Sequence, residues 1–173
     1  MNILLGNIVS LIGCTVMVLI GFIKNKDRYI VMQTLQFGLN ALSHFLLGGY
    51  GGTVASLVSV VRNVIISKWK CTTGIKIALI ALQAAFTIST ITANPITWIP
   101  IIAAGMFTWY IDTKDVMWFK WVIIITLVMW AVYDIYHHNY VSVWFSAFTC
   151  ITNGISMVKI HKERKEAKEK LPA

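Results

Sequence analysis

The chain has 173 residues, of which 57% are apolar and 13% are charged, and its mean hydropathy is +0.71. Soluble domains are about 45–50% apolar and about 25% charged, so this composition indicates a membrane protein. Seven bilayer-spanning helices of roughly 20 residues would use most of the chain, which excludes a separate soluble catalytic domain. The net charge of +8 is expected to set membrane orientation, and no nucleic-acid partner is expected.

Apolar segments with short polar interruptions predict seven transmembrane helices. The predicted spans cover residues 3–23, 29–48, 52–68, 75–94, 96–111, 117–137 and 140–160. A glycine-rich turn from Gly48 to Gly52 connects spans two and three, and Pro95 follows the connection between spans four and five. Because glycine and proline favour turns, both connections allow consecutive helices to fold back on each other.

The basic residues predict how these helices are oriented. With seven spans, all 15 Lys and Arg residues fall on one side of the membrane, and the connections near Met1, Gly49, Ala93 and His138 contain none. Positively charged loops stay in the cytoplasm. We therefore expect an inner-membrane protein with the N-terminus outside and the C-terminus in the cytoplasm.

A shift of the sequence by 90 residues aligns spans two and three with spans six and seven. Polar residues on span three recur at the same spacing on span seven, as Ser56, Ser59 and Asn63 against Ser146, Thr149 and Asn153. On span two the polar positions are Gln33, Gln36, Asn40 and His44, and their counterparts on span six are Ile123, Thr126, Trp130 and Asp134. The predicted fold class is therefore an all-α polytopic membrane protein with two parallel three-helix bundles, at 1–70 and 95–160, joined by a linker helix at 71–94. A cytoplasmic basic tail, 161–173, follows.

This layout of three helices, one linker and three helices resembles that of the SWEET sugar transporters and the PnuC-type nicotinamide riboside transporters. Asn63 and Asn153 look like the asparagine pair that lines the SWEET substrate pocket. The resemblance implies transport by alternating access. The chain departs from the SWEET pattern in its prolines, because Pro100 aligns with Ser10.

The local sequence resembles the YgjV-type family of bacterial inner-membrane proteins over most of the chain. The residues that carry this resemblance are Gln36, His44-Phe45-Leu46-Leu47-Gly48, Tyr50, Arg62-Asn63 and Asn153-Gly154. It implies the fold and the membrane location, and it indicates no substrate.

Three ionisable residues lie within predicted spans, where a charge is costly without a partner or an aqueous cavity. Arg62 is expected either to act as a countercharge for an anionic substrate or for Asp134, or to extend to the cytoplasmic interface. His44 and Asp134 occupy matched positions in spans two and six. They are expected to form either a proton relay or a static hydrogen-bonded pair.

Metal and catalytic sites find little support. Asp134, His137 and His138 share one helical face, but no further spaced ligand completes a metal site, so no metal or cofactor is expected. The sequence contains no protease, phosphate-binding or Ser-His-acid signature, and we expect that the protein is not an enzyme.

The sequence favours a transporter of a small polar solute: a sugar, a vitamin-like or nucleoside-like molecule, or a small organic ion. The predicted substrate-binding residues are Asn63, Asn153, Asn40, Gln36, Trp130, Ser59 and Thr149, and the predicted coupling or gating residues are His44, Asp134 and Arg62. The expected partners are a small-molecule solute and the lipid bilayer, and a homo-oligomer is compatible with the sequence. The alternative is a non-catalytic membrane interaction or sensor subunit, which would not need a solute-sized cavity.

Overall fold

The structure is a computed structural model that describes residues 2–20, 26–69, 72–88, 94–111, 113 and 115–169. Within these ranges the chain forms seven α-helices, one short 3-10 helix and no β-strand. The helices are α1 (Ile3–Ile20), α2 (Lys26–Leu46), α3 (Tyr50–Lys68), α4 (Thr73–Ile88), α5 (Ile99–Tyr110), α6 (Val116–Tyr136) and α7 (Tyr140–Glu169), with the 3-10 helix at Pro95–Trp98 before α5.

Predicted span five does not form one continuous α-helix. Span five is divided into the 3-10 helix and α5, where Pro95 and Pro100 each lie in a first helical turn. Proline lacks a backbone N–H and is tolerated at a helix start, so each proline favours a new beginning. Asn94 caps the first of these, because its side-chain oxygen accepts a hydrogen bond from the Ile96 N–H at 3.1 Å. The end of predicted span four, 89–93, lies outside the described residues.

Length and composition support two of the predicted spans directly. Among the described residues, Met117–Tyr136 and Tyr140–Glu166 are long and apolar enough to cross a membrane, whereas Ile3–Leu19 and Thr73–Phe86 are apolar but shorter. The complete α7 has 30 residues, or about 45 Å at 1.5 Å per residue. Since the hydrocarbon core is about 30 Å thick, the predicted tail begins as a continuation of this helix.

The helices pack in a closed order. Helix α1 contacts α2, α2 contacts α3, α3 contacts α5, α5 contacts α6, α6 contacts α7, and α7 returns to α1, while α4 packs against α3 and α5. Helices α2 and α6 therefore stand opposite each other in a ring of six.

Two short turns, α2–α3 and α6–α7, lie at one end of the ring, which we call the turn end. The start of α1 lies there as well, because the Asn2 N–H donates to the Leu46 carbonyl at 3.0 Å. The opposite end, which we call the basic end, includes the exposed ion pair of Arg164 and Asp115 at 3.2 Å.

The polarity of the described helices is reversed relative to a soluble protein. Arg62 and Asp134 are each 1% exposed, whereas Leu4 is 74% exposed and Trp144 is 76% exposed. Charged side chains are rarely buried in soluble proteins, and large apolar surfaces are rarely left in water. An apolar exterior around polar groups is the arrangement suited to a lipid environment.

Candidate functional site

The two turns at the turn end have the same backbone geometry at positions 90 residues apart. Gly48 and His138 both have a positive φ, 75° and 58°. The Gly49 N–H donates to the His44 carbonyl at 2.7 Å, and the Asn139 N–H donates to the Asp134 carbonyl at 2.8 Å. Helices α2 and α6 also begin and end at positions separated by this offset, 26 and 116, then 46 and 136.

The same offset relates contacts between the two halves of the chain. Asn7 of α1 contacts the α6–α7 turn, since its side-chain oxygen accepts a hydrogen bond from the Val141 N–H at 3.4 Å. Thr97, its counterpart, lies against the counterpart of Val141, because a Cβ atom on Gly51 would come within 2.7 Å of the Thr97 carbonyl oxygen. Each half therefore touches the other through equivalent positions.

His44 and Asp134 meet between α2 and α6, as their matched positions predict. His44 Nδ1 lies 3.6 Å from Asp134 Oδ1, and the two side chains are 3% and 1% exposed. This separation exceeds a hydrogen bond, and His44 Nδ1 has no hydrogen-bond partner among the described residues. The Trp130 ring stacks on the imidazole, with 5.4 Å between the ring centroids. The structure therefore brings the pair together without the static hydrogen bond that was one of the two expectations.

The two partners have different surroundings. Asp134 accepts hydrogen bonds from Asn139 Nδ2 at 3.2 Å and from Ser142 Oγ at 2.6 Å. The positions equivalent to Asn139 and Ser142 beside His44 are glycines, at 49 and 52. Tyr133 occupies this space, and its hydroxyl accepts a hydrogen bond from the Gly52 N–H at 2.7 Å.

The sequence analysis did not assign Asn139, Ser142 or Tyr133 as neighbours of this pair. Comparison of the turn residues at the 90-residue offset would have paired Gly49 with Asn139 and Gly52 with Ser142. That contrast signals a polar shell around Asp134 and an open position beside His44.

Arg62 is buried inside the ring. Its Nε and Nη2 atoms donate to Asn63 Oδ1 at 3.3 and 3.2 Å, and its Nη1 donates to Thr108 Oγ1 at 3.4 Å. The guanidinium also lies over the rings of Phe37 and Phe107, 5.4 and 4.9 Å from their centroids. The expectation that Arg62 extends to the cytoplasmic interface is therefore wrong, because aromatic and polar partners hold the side chain in the interior.

Arg62 also does not reach Asp134, which was the other intramolecular expectation. Arg62 lies twelve residues into α3 from the turn end, or about 18 Å along the axis, whereas Asp134 lies within about 3 Å of the same end of α6. The two charges are at different depths. Of the expected roles, recognition of an anionic substrate stays a prediction.

Asn63 and Asn153 each bond to the helix that precedes their own. Asn63 Nδ2 donates to Gln33 Oε1 of α2 at 3.1 Å. Asn153 Oδ1 accepts a hydrogen bond from Lys120 Nζ of α6 at 3.3 Å. Asn63 is buried and Asn153 is half-buried. Their placement across a common pocket stays a prediction.

The other predicted binding residues lie at intermediate or full burial. Gln36 and Ser59 are buried, and Asn40, Trp130 and Thr149 are half-buried. The Ser59 and Thr149 hydroxyls donate to backbone carbonyls four residues earlier, so their donors are used within their own helices.

A cavity of about 160 Å³ opens at the turn end, between the α2–α3 turn, the 3-10 helix and the end of α6. Its lining consists of Gly48, Tyr50, Gly51, Asn94, Thr97, Tyr133, Tyr136 and His137. The sequence reasoning did not assign this site.

An apolar exterior, a polar interior and two apolar helices of spanning length define a helical membrane protein. The Imp-YgjV family, described as a bacterial inner membrane protein, matches residues 4–164, and the chain belongs to this family. The YgjV-type resemblance and the membrane location are thereby confirmed. No curated protein and no solved structure gives a significant match, so the SWEET-like and PnuC-like architecture stays a prediction.

Proposed function

We propose that this protein transports a small polar solute across the bacterial inner membrane by alternating access. In this proposal, α1–α3 and α5–α7 are two parallel repeats, and α4 links them. The supporting observation is that contacts between the halves recur at equivalent positions, Asn7 with Val141 and Thr97 with Gly51. Such an exchange is expected of two repeats related by an axis along the membrane normal, a plan found among transporters.

Buried polar side chains support a solute pocket between the repeats. Gln36, His44, Asn63 and Asp134 are each less than 10% exposed. Polar and ionisable groups inside a bilayer are costly and usually serve a substrate or ion pathway. Amide groups can bind hydroxyls and other amides, which suits a polar solute.

The proposed orientation places the turn end outside and the basic end in the cytoplasm. Described segments at the turn end, 2–10, 42–56, 94–99 and 131–145, contain no Lys or Arg. Reporter fusions after Gly49, Ala93 and Ala173 test this orientation. External signals are expected from the first two and a cytoplasmic signal from the third, and a cytoplasmic signal at Gly49 would contradict both the orientation and the parallel repeat.

A thermal-shift screen of the purified protein against a metabolite library tests the proposed pocket, because a ligand that binds the folded state stabilises it. Asn63→Ala and Asn153→Ala should each weaken the binding of the selected solute about two- to tenfold, the effect of one lost hydrogen bond. Ser67→Ala is the matched control, since Ser67 lies on the same helix as Asn63 and is exposed. Parent-like binding and uptake in both Asn variants would overturn the pocket assignment.

We further propose that the His44–Asp134 pair changes protonation as the outer side opens and closes, which would couple solute movement to pH. The unbonded His44 Nδ1 and its 3.6 Å separation from Asp134 Oδ1 support this idea, because a small movement would create or remove a hydrogen bond. His137 interacts electrostatically with His44, and Tyr133 and Cys14 interact electrostatically with Asp134.

Uptake of the selected solute into proteoliposomes, with and without an imposed pH gradient, tests this coupling. A pH gradient should drive accumulation by the parent, and His44→Gln and Asp134→Asn should abolish it while preserving hydrogen-bonding capacity. Equal uptake by all three proteins, without accumulation against the solute gradient, would instead indicate a passive carrier.

A further inference from the structure

Three tyrosines line the cavity at the turn end. The Tyr133 hydroxyl accepts a hydrogen bond from the Gly52 N–H at 2.7 Å, and the Tyr136 hydroxyl accepts one from Asn94 Nδ2 at 2.7 Å. Tyr50 lies at the rim, 56% exposed, with its ring edge-on to Phe45. Tyr133 is 0% exposed, so the accessible aromatic surface at the cavity comes from Tyr50 and Tyr136.

The described segments of the turn end hold no Lys or Arg that would repel a cation. His137 also lines the cavity, and its ring centroid lies 4.5 Å from that of Tyr133. The faces of aromatic rings carry negative potential and attract ammonium groups.

The equivalent place in the other half of the chain is closed. The counterpart of His137 is Leu47, which is fully buried and packs so closely on α1 that a Cβ atom on Gly6 would lie 2.6 Å from its Cγ. The counterpart of Thr97 is Asn7, whose side chain donates to the His138 carbonyl at 2.9 Å. The cavity is therefore present in only one of the two related regions, because the side chains differ although the turn backbones are alike.

We propose that the turn-end cavity binds a small ammonium cation through the rings of Tyr50 and Tyr136, which are 56% and 49% exposed. A cavity of about 150 Å³ accepts a molecule the size of benzene, so a ligand of about six non-hydrogen atoms fits the observed volume of about 160 Å³. This site is separate from the Asn63 and Asn153 pocket. Binding here does not require that the protein be a transporter.

Tetramethylammonium is a suitable probe, and its affinity for the purified full-length protein can be measured by isothermal titration. Saturable binding to the parent is expected, with no binding of the uncharged tert-butanol or of acetate at the same concentrations. Tyr50→Leu removes one ring and should weaken binding about two- to fivefold. Tyr50→Phe keeps the ring and should bind like the parent.

Tyr140→Leu is the matched control, because Tyr140 is the counterpart of Tyr50 and is 54% exposed beside the closed region. It should bind tetramethylammonium like the parent. Absence of saturable binding to the parent, equal binding of tert-butanol or acetate, or parent-like affinity in Tyr50→Leu would overturn the proposal.

Nanodiscs with and without phosphatidylethanolamine distinguish two sources of the ammonium group. Competition between this lipid and tetramethylammonium would indicate a lipid headgroup as the ligand, and equal affinity in both nanodiscs would indicate a free solute. Either result supports ammonium recognition, provided that Tyr50→Leu remains weaker than the parent.

Discussion

The α2–α3 turn and the α6–α7 turn share a backbone but carry different side chains. In the second turn, Asn139 and Ser142 bond to Asp134. In the first turn the equivalent positions are glycines, and the space beside His44 is taken by Tyr133 from the opposite half. The same helix–turn–helix backbone therefore surrounds Asp134 with hydrogen-bond donors in one half and His44 with aromatic rings in the other.

This difference makes the two halves interdependent. Tyr133 belongs to α6, yet its hydroxyl accepts a hydrogen bond from Gly52 in the first turn of α3. The first N–H groups of a helix lack partners within that helix, so this bond satisfies one of them. Exchanging the side chains of the two turns should therefore lower the stability of the protein, and substitutions in the turns test this difference between them.

The largest effect is expected for Gly52→Ala. A Cβ atom at this position would lie 2.6 Å from Tyr133 Cε1 and 2.8 Å from His44 Cγ, and two packed rings cannot both yield easily. Overpacking of this kind costs about 3 kcal/mol at the upper end of its usual range. Thermal unfolding in detergent should report a clear loss of stability.

Gly38→Ala is the control for this substitution, because a Cβ atom on Gly38 of α2 would meet nothing within 4 Å. Alanine is favoured over glycine in a helix interior by about 0.5–1 kcal/mol. The control should therefore unfold at or above the temperature of the parent. A Gly52→Ala protein as stable as Gly38→Ala would contradict the close packing of Tyr133 in the first turn.

A smaller effect is expected for Ser142→Ala, which removes the 2.6 Å hydrogen bond to Asp134 Oδ2. Loss of one bond to a buried carboxylate should cost about 1.5 kcal/mol. Chemical denaturation of the variant measures this change. The same substitution in an Asp134→Asn background tests whether the lost bond is the cause. Ser142→Ala should cost less stability in that background than in the parent. An equal cost in both backgrounds would contradict a hydrogen bond to the charged carboxylate.

Tyr133→Phe should cost about 1 kcal/mol, because the Gly52 N–H loses its acceptor. Hydrogen exchange at the Gly52 amide measures the effect locally and should become faster. Tyr140→Phe removes only an exposed contact with His138, so its turn amides should exchange as in the parent. Unchanged exchange at Gly52 in Tyr133→Phe would show that the interdependence of the halves does not rest on this bond.

The smallest effect is expected at the basic end. The hydrogen bond from the Met117 N–H, followed by the contact with Arg164, lowers the pKa of Asp115. The stabilising contribution is therefore present above the ordinary aspartate pKa, and it is lost as the pH falls through the lowered value. Because both partners of the ion pair are exposed, the change should be small.

Hydrogen exchange of the first amides of α6 over an acid pH series measures this effect, after correction for the intrinsic pH dependence of exchange. In the parent, protection of these amides should decrease as the pH is lowered. In Asp115→Asn, protection should be lower than in the parent at neutral pH and should change little as the pH is lowered. The same pH-dependent loss in Asp115→Asn would assign the titration to another group.

The sequence predicted the helices and the His44–Asp134 pairing because both follow from periodicity. Apolar segments located the seven helices, and the 90-residue offset matched the two ionisable residues. The burial of Arg62 was not predictable, since it depends on Phe37 and Phe107 from two other helices. The cavity depends on the 3-10 geometry at Pro95–Trp98, which the apolar pattern of span five does not distinguish from an α-helix.

Labelling of single cysteines tests the parallel repeat most directly. In a protein without Cys14, Cys71 and Cys150, Tyr50→Cys and Tyr140→Cys place one thiol at each turn, at positions that are 56% and 54% exposed. A membrane-impermeant maleimide added to intact spheroplasts should label both, and Lys159→Cys should react only after permeabilisation. Labelling of one turn and protection of the other would contradict the parallel arrangement of the two repeats.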